Sequence, residues 1–533
     1  MDRRPGVAGA GECHVTTPET RPTGWGPQTR VPGAREGWRK WATVAAFVLA
    51  LSSQRFFTIL LVSAVAVSCW RACRRSRGSG STSKPRWVAT PGEDLLAAVL
   101  AESCRLGGGV YLGMGPRGGW RLSRSERAVL LLGPPRSGKT AGVVVPTVLA
   151  HDGPAVSTST KPDVLLATRH IRSRLGCVWR FDPTGTGASG VEGVNELRWS
   201  PVAGSCSWDG ALLMARAMVT GAGVGAGTTD QSHWSRRAQA LLAPLLHAAA
   251  VGELGIDRVH SWVLGHDLDT PGALLERAEA APAAESILGL QNTEVRERSS
   301  IFSAAADALD AYASDSALAA AAEPNFDPDA FVRSDDTIYI DAPGERQHLA
   351  APLVCGLLAE LRAATYRAHA VGELPRRMLF ALDEVANIAP LAELPWIASE
   401  GGGQGLLLLA ALQDLSQARA RWGPAADGFL TLFGAKLILP GIADQQTLES
   451  ISVALGEYDR PMVATTHNPA SPRGARRVRT FSTQRQRVLS PGEIAGIPLG
   501  RALHLDGVAW ELLTVTPAHA TEPWRALTTG GPR

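Results

Sequence analysis

Lysine is scarce in this 533-residue chain. There are five, at positions 40, 84, 139, 161 and 436, and arginine outnumbers lysine about ninefold. Cysteine is thin as well. The seven residues, Cys13, Cys69, Cys73, Cys104, Cys177, Cys206 and Cys355, contain no C-x-x-C pair and no Cys/His set with zinc spacing. They read as reduced, cytosolic cysteines and weak metal candidates. Net charge is close to absent at +3, which excludes a strong overall pull toward nucleic acid and leaves only local contacts. No internal repeat is visible. The length suits two or three domains with ample surface to bury.

Against that scarcity, one lysine stands in a telling place. "AVLLLGPPRSGKTAGVVVPTVL", residues 128–149, is an apolar run, a Gly-Pro turn and a second apolar run. Gly133, Pro134, Pro135, Arg136, Ser137, Gly138, Lys139 and Thr140 fit G-x-x-x-x-G-K-[ST], the phosphate-binding loop. Glycines let the backbone curl until successive N–H groups point at phosphate oxygens. A helix beginning near Lys139 adds its positive end. The ammonium reaches the β- and γ-phosphates, and the Thr140 hydroxyl takes a Mg²⁺ ligand position. The pattern predicts a buried strand over Ala128–Leu132 and binding of ATP with Mg²⁺.

Residues 1–38 are rich in Gly, Pro, Thr and Arg without an apolar period and read as disordered. An apolar stretch, Trp41–Trp70, follows, interrupted by Arg55 and closed by Arg71, Arg74, Arg75 and Arg77. A spanning helix needs about 20 apolar residues, and a mid-membrane arginine costs several kcal/mol. Residues 39–72 therefore read as a membrane anchor, of one span or a short hairpin, with Arg55 at a turn or interface. A cleaved signal peptide is excluded by the late start and by the ATP site that export would carry outside. A buried core helix is the bland alternative. Residues 73–90 form a Gly/Ser/Arg linker. Apolar strands alternating with helices over 91–204 and 326–515 imply an α/β domain with a parallel sheet. The Ala/Leu-rich block 205–325 reads as an all-α domain inserted between its strands, and 516–533 as a polar tail.

"RMLFALDEVANI" supplies the second half of a nucleotide site. A buried strand ending in Asp383-Glu384 delivers Asp383 to a Mg²⁺-bound water and places Glu384 to polarise the attacking water as a general base. Gln413 closes the next apolar strand, where it either senses the γ-phosphate or is an ordinary strand-end polar residue. Lys161 and Asp163 in "STSTKPD" and Asp182 in "FDPTGTG" sit at the carboxyl ends of strands, where ligands gather in open α/β sheets. Turn chemistry explains Asp182 better and leaves Lys161 open.

In this order the motifs resemble the type IV coupling proteins of conjugative DNA transfer, the TraG/TraD group. The resemblance runs over roughly 95–515 through "GPPRSGKT", "TSTKPD", "FDPTG", "RWSP", "LDEVANI", "LPWIASEGGGQG", "QDLSQARARWG" and "LSPGEIAGIPLGRAL". It implies a RecA-like P-loop NTPase fold with the 205–325 block as its all-α domain. It also implies a homo-hexamer at the cell membrane, with the bulk of the chain on the cytoplasmic side. ATP hydrolysis would then drive single-stranded DNA, with its attached relaxase, toward the components of a type IV secretion channel. By position, Lys139 and Thr140 bind phosphate and Mg²⁺, Asp383 holds Mg²⁺ and Glu384 activates water.

The chain also departs from the family. Members often carry an arginine before the "QD" strand that reaches the neighbouring subunit; here the segment is Gly401-Gly402-Gly403-Gln404. Arg473, Arg476, Arg477, Arg479, Arg485 and Arg487, with no acid among residues 471–487, form either a phosphate-contacting loop or a solvated hairpin. Arg236 and Arg237 beside Trp234 are a second basic candidate, core packing being the alternative. Two rival functions stay open. One is an FtsK-like double-stranded DNA translocase, which fits the helical insertion poorly and lacks a winged C-terminal DNA reader. The other is an adaptor that binds ATP and recruits protein substrates with little turnover; the Asp383-Glu384 pair argues against it.

Overall fold

The computed structural model describes residues 94–184, 190–225, 230–467 and 477–529. They belong to one compact unit of the chain. The expected disordered segment, membrane anchor and most of the linker lie outside them.

Strands are numbered along the chain: β1 Tyr111–Met114, β2 Trp120–Leu122, β3 Val129–Leu132, β4 Ala155–Ser159, β5 Val178–Phe181, β6 Asn195–Glu196 and β7 Thr337–Asp341. They continue as β8 Met378–Leu382, β9 Leu406–Leu412, β10 Ala435–Ile438, β11 Glu457–His467, β12 Arg477–Arg487, β13 Arg501–Asp506 and β14 Ala509–Thr514. Twelve form one sheet in the order β2-β1-β14-β13-β10-β3-β9-β8-β4-β7-β5-β6. From β10 to β6 every pairing is parallel. β13, β14, β1 and β2 extend one side antiparallel. The central strands β3, β4, β7, β8 and β9 are buried at every residue, as a sheet covered on both faces requires.

Between β6 and β7 the chain leaves the sheet for a helical block that includes Trp208–Ala222, Gln231–Val251, Ile256–Gly265 and Val295–Leu309. Polar links tie the block, and the segment that leads into it, to the rest of the domain. The Trp199 indole donates to Glu360 Oε2 at 2.7 Å, and Arg216 pairs with the buried Glu393 at 3.0 Å. Arg421 donates to the Gly221 carbonyl at 2.6 Å, satisfying an end carbonyl of Trp208–Ala222 that the helix leaves open. Among the described residues one helix, Gly344–Ala370, is long and apolar enough to cross a bilayer. Its apolar window is 78% buried within the fold, so it is a core helix.

Residues 516–529, read from the sequence as part of a polar tail, pack onto the domain instead. Trp524 is 1% exposed and stacks on Trp120 with ring centroids 4.7 Å apart, while Tyr111 meets it edge-on at 5.1 Å. Area burial and aromatic geometry together outweigh the polarity of the surrounding residues.

One buried cation stitches the connections between strands. Arg172, at the end of the helix Asp163–Arg172, is completely buried. Its guanidinium donates to the His151 carbonyl, to Gly153 O at 2.7 Å, to Asp335 O at 3.1 Å and to Thr337 Oγ1 at 2.7 Å. Methionine keeps most of the volume and leaves these acceptors without donors, at about 1–3 kcal/mol for a buried unsatisfied group. Arg172→Met is therefore expected to lower the unfolding free energy by about 3–5 kcal/mol, read as a shift in the denaturant midpoint, with Arg172→Lys recovering only part of it.

Candidate nucleotide site

The parallel register brings four strand ends into line. Leu132 of β3 pairs with Leu412 of β9, Leu382 of β8 with Ala410 of β9, and Thr158 of β4 with Leu382. The loops that leave these ends enclose a cleft of about 410 Å³. Its walls are Pro134–Arg136 and Gly138–Ala141 from the loop after β3, Ser159–Lys161 and Asp163 from the end of β4, and Asp383–Glu384 from the end of β8.

The loop after β3 is shaped by its backbone. Gly138 has φ of +95°, a region L side chains rarely enter, and the Gly133 amide donates back to Leu412 O at 3.1 Å. Arg136 also takes a positive φ, +64°. The helix that follows, Thr140–Ala150, opens with a wide turn over Thr140–Val144. Pro146 cannot donate to the carbonyl one turn earlier, which accounts for the widening.

Lys139 is 6% exposed; its ammonium donates to Gly133 O at 2.6 Å and lies 3.5 Å from Glu384 Oε1. The Thr140 hydroxyl donates to Asp383 Oδ2 at 2.5 Å. Asp383 is held from two further directions, by the Glu384 amide donating to its Oδ1 at 3.0 Å and by Thr158 Oγ1 donating to its carbonyl at 2.8 Å. Burial pushes the Asp383 carboxyl above the usual carboxylate range; the Thr140 hydroxyl, and then the Lys139 charge, pull the other way. A buried carboxylate with a raised pKa beside a hydroxyl suits a hard divalent cation, whose charge offsets the burial of the anion. Among the described residues no set of three His, Cys, Asp or Glu side chains could hold a metal by itself. The donor set therefore fits Mg²⁺ that also takes oxygens from phosphate and water, with Thr140 and Asp383 as its protein ligands. The Ser137 hydroxyl, buried in the loop, has no hydrogen-bond partner within the protein.

Glu384 occupies the left-handed region at φ 50°, ψ 45°. For a residue with a side chain this costs roughly 1–2 kcal/mol, and such strain persists where a side chain is held for use.

Gln413 follows β9, between the loop strand and the Asp383 strand, and its amide donates to Gln417 Oε1 at 3.0 Å. It is not among the residues that line the cleft. Lys161, left open between ligand and turn, is a cleft residue, as are Thr160 and Asp163. Thr158 was not anticipated; the sign in the sequence is the polar run Ser157-Thr158-Ser159 on a strand that is otherwise apolar. Asp182 accepts from the Thr184 amide and hydroxyl at 3.1 and 3.0 Å, a local turn. Arg237 is taken up by Glu297 at 3.0 Å and Arg236 by the Ser232 carbonyl at 3.1 Å. At Gly401–Gln404 the chain makes a tight turn in which a Cβ on Gly402 would lie 1.9 Å from Glu126 O, so no side chain fits at Gly402, whereas Gly403 faces open space.

The family described as Type IV secretory system Conjugative DNA transfer matches residues 97–503. Protein VirD4 of Rhizobium radiobacter is 22% identical over 426 residues, 78% of this chain and 61% of its own, so the match spans less than two thirds of that relative. Two solved structures are similar in fold. The bacterial conjugative coupling protein TrwBdeltaN70, in a trigonal form with sulphate, has a TM-score of 0.55 at 19% identity over 74% of this chain and 86% of its own. The plasmid coupling protein TrwB in complex with ADP and Mg²⁺ has a TM-score of 0.53 at 18% identity, covering 74% and 85%. Below a quarter identical, these likenesses establish the fold, a RecA-like NTPase architecture.

Because Glu384 is strained, Glu384→Gly is expected to hold or raise the thermal midpoint even as it deletes the carboxylate, whereas Glu384→Ala keeps the strain. A lower midpoint for the glycine variant than for the alanine variant would contradict this.

Proposed function

The chain belongs to the Type IV secretory system conjugative DNA transfer family of coupling proteins, and we propose that it is a membrane-anchored ATPase that delivers single-stranded DNA, with its attached relaxase, to a conjugative secretion channel. In this reading the active form is a homo-hexamer, with the bulk of the chain on the cytoplasmic side of the cell membrane. One observation carries the enzymatic part. The loop lysine and threonine meet the carboxylates of a strand two places away, with Thr140 bonded to Asp383 and Lys139 facing Glu384.

The roles follow from that geometry. The loop amides, the Lys139 ammonium and the helix beginning at Thr140 hold the triphosphate. Thr140 and Asp383 would hold Mg²⁺, which would supply charge neutralisation for the phosphates. A phosphate entering the loop gives the ammonium a stronger partner than Glu384, which frees that carboxylate to take a proton from the attacking water. ATP and Mg²⁺ as ligands are supported by this donor set and by the TrwB structure solved with ADP and Mg²⁺.

The adaptor reading keeps one observation on its side, the absence of a basic residue at Gly401–Gln404. Glu384→Gln separates the two. A motor loses about 10²–10⁴-fold in turnover, retains nucleotide affinity and stops DNA transfer in a mating assay. Transfer undiminished by Glu384→Gln would overturn the motor and favour the adaptor. Lys139→Ala is expected to abolish nucleotide binding itself, measured by calorimetric titration with ATP and Mg²⁺.

A further inference from the structure

The hairpin β11–β12 stands outside the main sheet as a two-stranded ribbon. Eleven residue pairs run in register from Glu457↔Arg487 to His467↔Arg477. At about 3.4 Å per residue the arm is roughly 35 Å long. A lone two-stranded hairpin is marginal in water, so an arm of this length calls for a partner. At its root Arg487 grips Glu449 through both carboxylate oxygens, at 2.7 and 2.6 Å, and fixes the arm to the helix Gln445–Leu455. Farther out, large apolar residues face solvent: Phe481 is 75% exposed, Met462 and Val463 are exposed with it, and Tyr458 is exposed nearer the root.

The charge of the arm narrows the choice of partner. Residues 457–487 hold seven arginines against Glu457 and Asp459, formally +5 in a chain whose total is +3. The two acids stand near the root, where Glu457 pairs with Arg485 at 3.0 Å. Arg477 and Arg479 precede Phe481 at alternate positions along β12, and Val463 stands opposite Phe481 in the register of the arm. Alternate residues on a strand are about 6.8 Å apart. A row of arginines ending in an exposed ring is the pairing that holds single-stranded nucleic acid, the cations on phosphates and the ring on an unstacked base. A protein partner would favour the apolar residues without needing the charge excess, and a duplex offers no free base face to Phe481.

We propose that the β11–β12 arm is a single-stranded DNA contact, with Phe481 stacking on a base and Arg477 and Arg479 on the adjoining phosphates. The proposal rests on the DNA-delivery reading above and assigns that function to a surface away from the nucleotide cleft.

The test is fluorescence anisotropy of labelled oligo(dT) with the full chain in detergent, across a salt series, for wild type, Phe481→Ala and Arg477→Ala/Arg479→Ala. Both sets of substitutions lie on the β11–β12 arm, outside the main sheet, so unchanged thermal midpoints check that the fold survives. Phe481→Ala is expected to weaken binding about 5- to 140-fold, the loss of one base–aromatic stack. The double arginine variant is expected to reduce the slope of log K against log salt by about 1.4. If wild type binds and both variants bind equally well with the same slope, the arm proposal is overturned while DNA delivery stands. The same holds if the variants alter only the oligomeric state in sedimentation, which would make the arm a contact between copies. If wild type does not bind oligo(dT) at all, the delivery reading fails and the arm proposal with it.

Discussion

A single contact, Thr140 Oγ1 to Asp383 Oδ2, joins two segments 243 positions apart and is the point on which the site depends. It exists only if β3 and β8 lie two places apart with their carboxyl ends level. Parallel pairing through β9 enforces that spacing. The burial that raises the Asp383 pKa is the same burial that makes β8 a central strand. The fold thus creates an electrostatic need that a hydroxyl, an ammonium and a divalent cation can meet. Thr158, one strand further on, fixes the backbone of Asp383 so that its carboxylate points toward the loop.

The rest of the molecule keeps this contact in place and extends it. Arg172 gathers carbonyls from the turns that precede β4 and β7, holding the far ends of those strands together. Arg216 and Arg421 fasten the helical block to the rest of the domain through bonds to Glu393 and Gly221, and Trp199, between β6 and the block, bonds to Glu360. Strain at Glu384 fits the same picture: Thr158 holds the carbonyl of Asp383 and the Asp383 carboxylate holds the Glu384 amide, so a costly conformation survives. The β11–β12 arm is the exception, since it is anchored at one end by Arg487 and adds nothing to the core.

Much of this was legible in the sequence, and the unread parts share a physical cause. The phosphate loop is a local pattern, so eight consecutive residues suffice to recognise it. Alternating apolar strands and helices announced a parallel α/β sheet, which the pairing bears out. Asp383 and Glu384 were recognisable as types at a strand end, but the bond of Asp383 to Thr140 and the approach of Glu384 to Lys139 are properties of strand order, which no local pattern encodes. Trp524 was missed for the same reason. It sits in a polar stretch, and its partners Tyr111 and Trp120 lie some four hundred positions earlier, so 516–529 read as a tail. Thr158 was hidden because a threonine on a buried strand serves packing as readily as hydrogen bonding. Arg473 and Arg476 of the arginine-rich segment lie outside the described residues, and the exposure of Phe481 became evident only from the pairing of β11 with β12.

The account's central claim is that the cleft turns over ATP in the service of moving DNA. ATP hydrolysis by the purified full chain, with and without single-stranded DNA, tests it most directly, over a protein concentration series and with Lys139→Ala as the blank. The account predicts turnover well above the blank, rising with protein concentration as subunits assemble and stimulated by single-stranded DNA. Tight ATP binding with turnover no better than Lys139→Ala at every concentration, and no response to DNA, would contradict it.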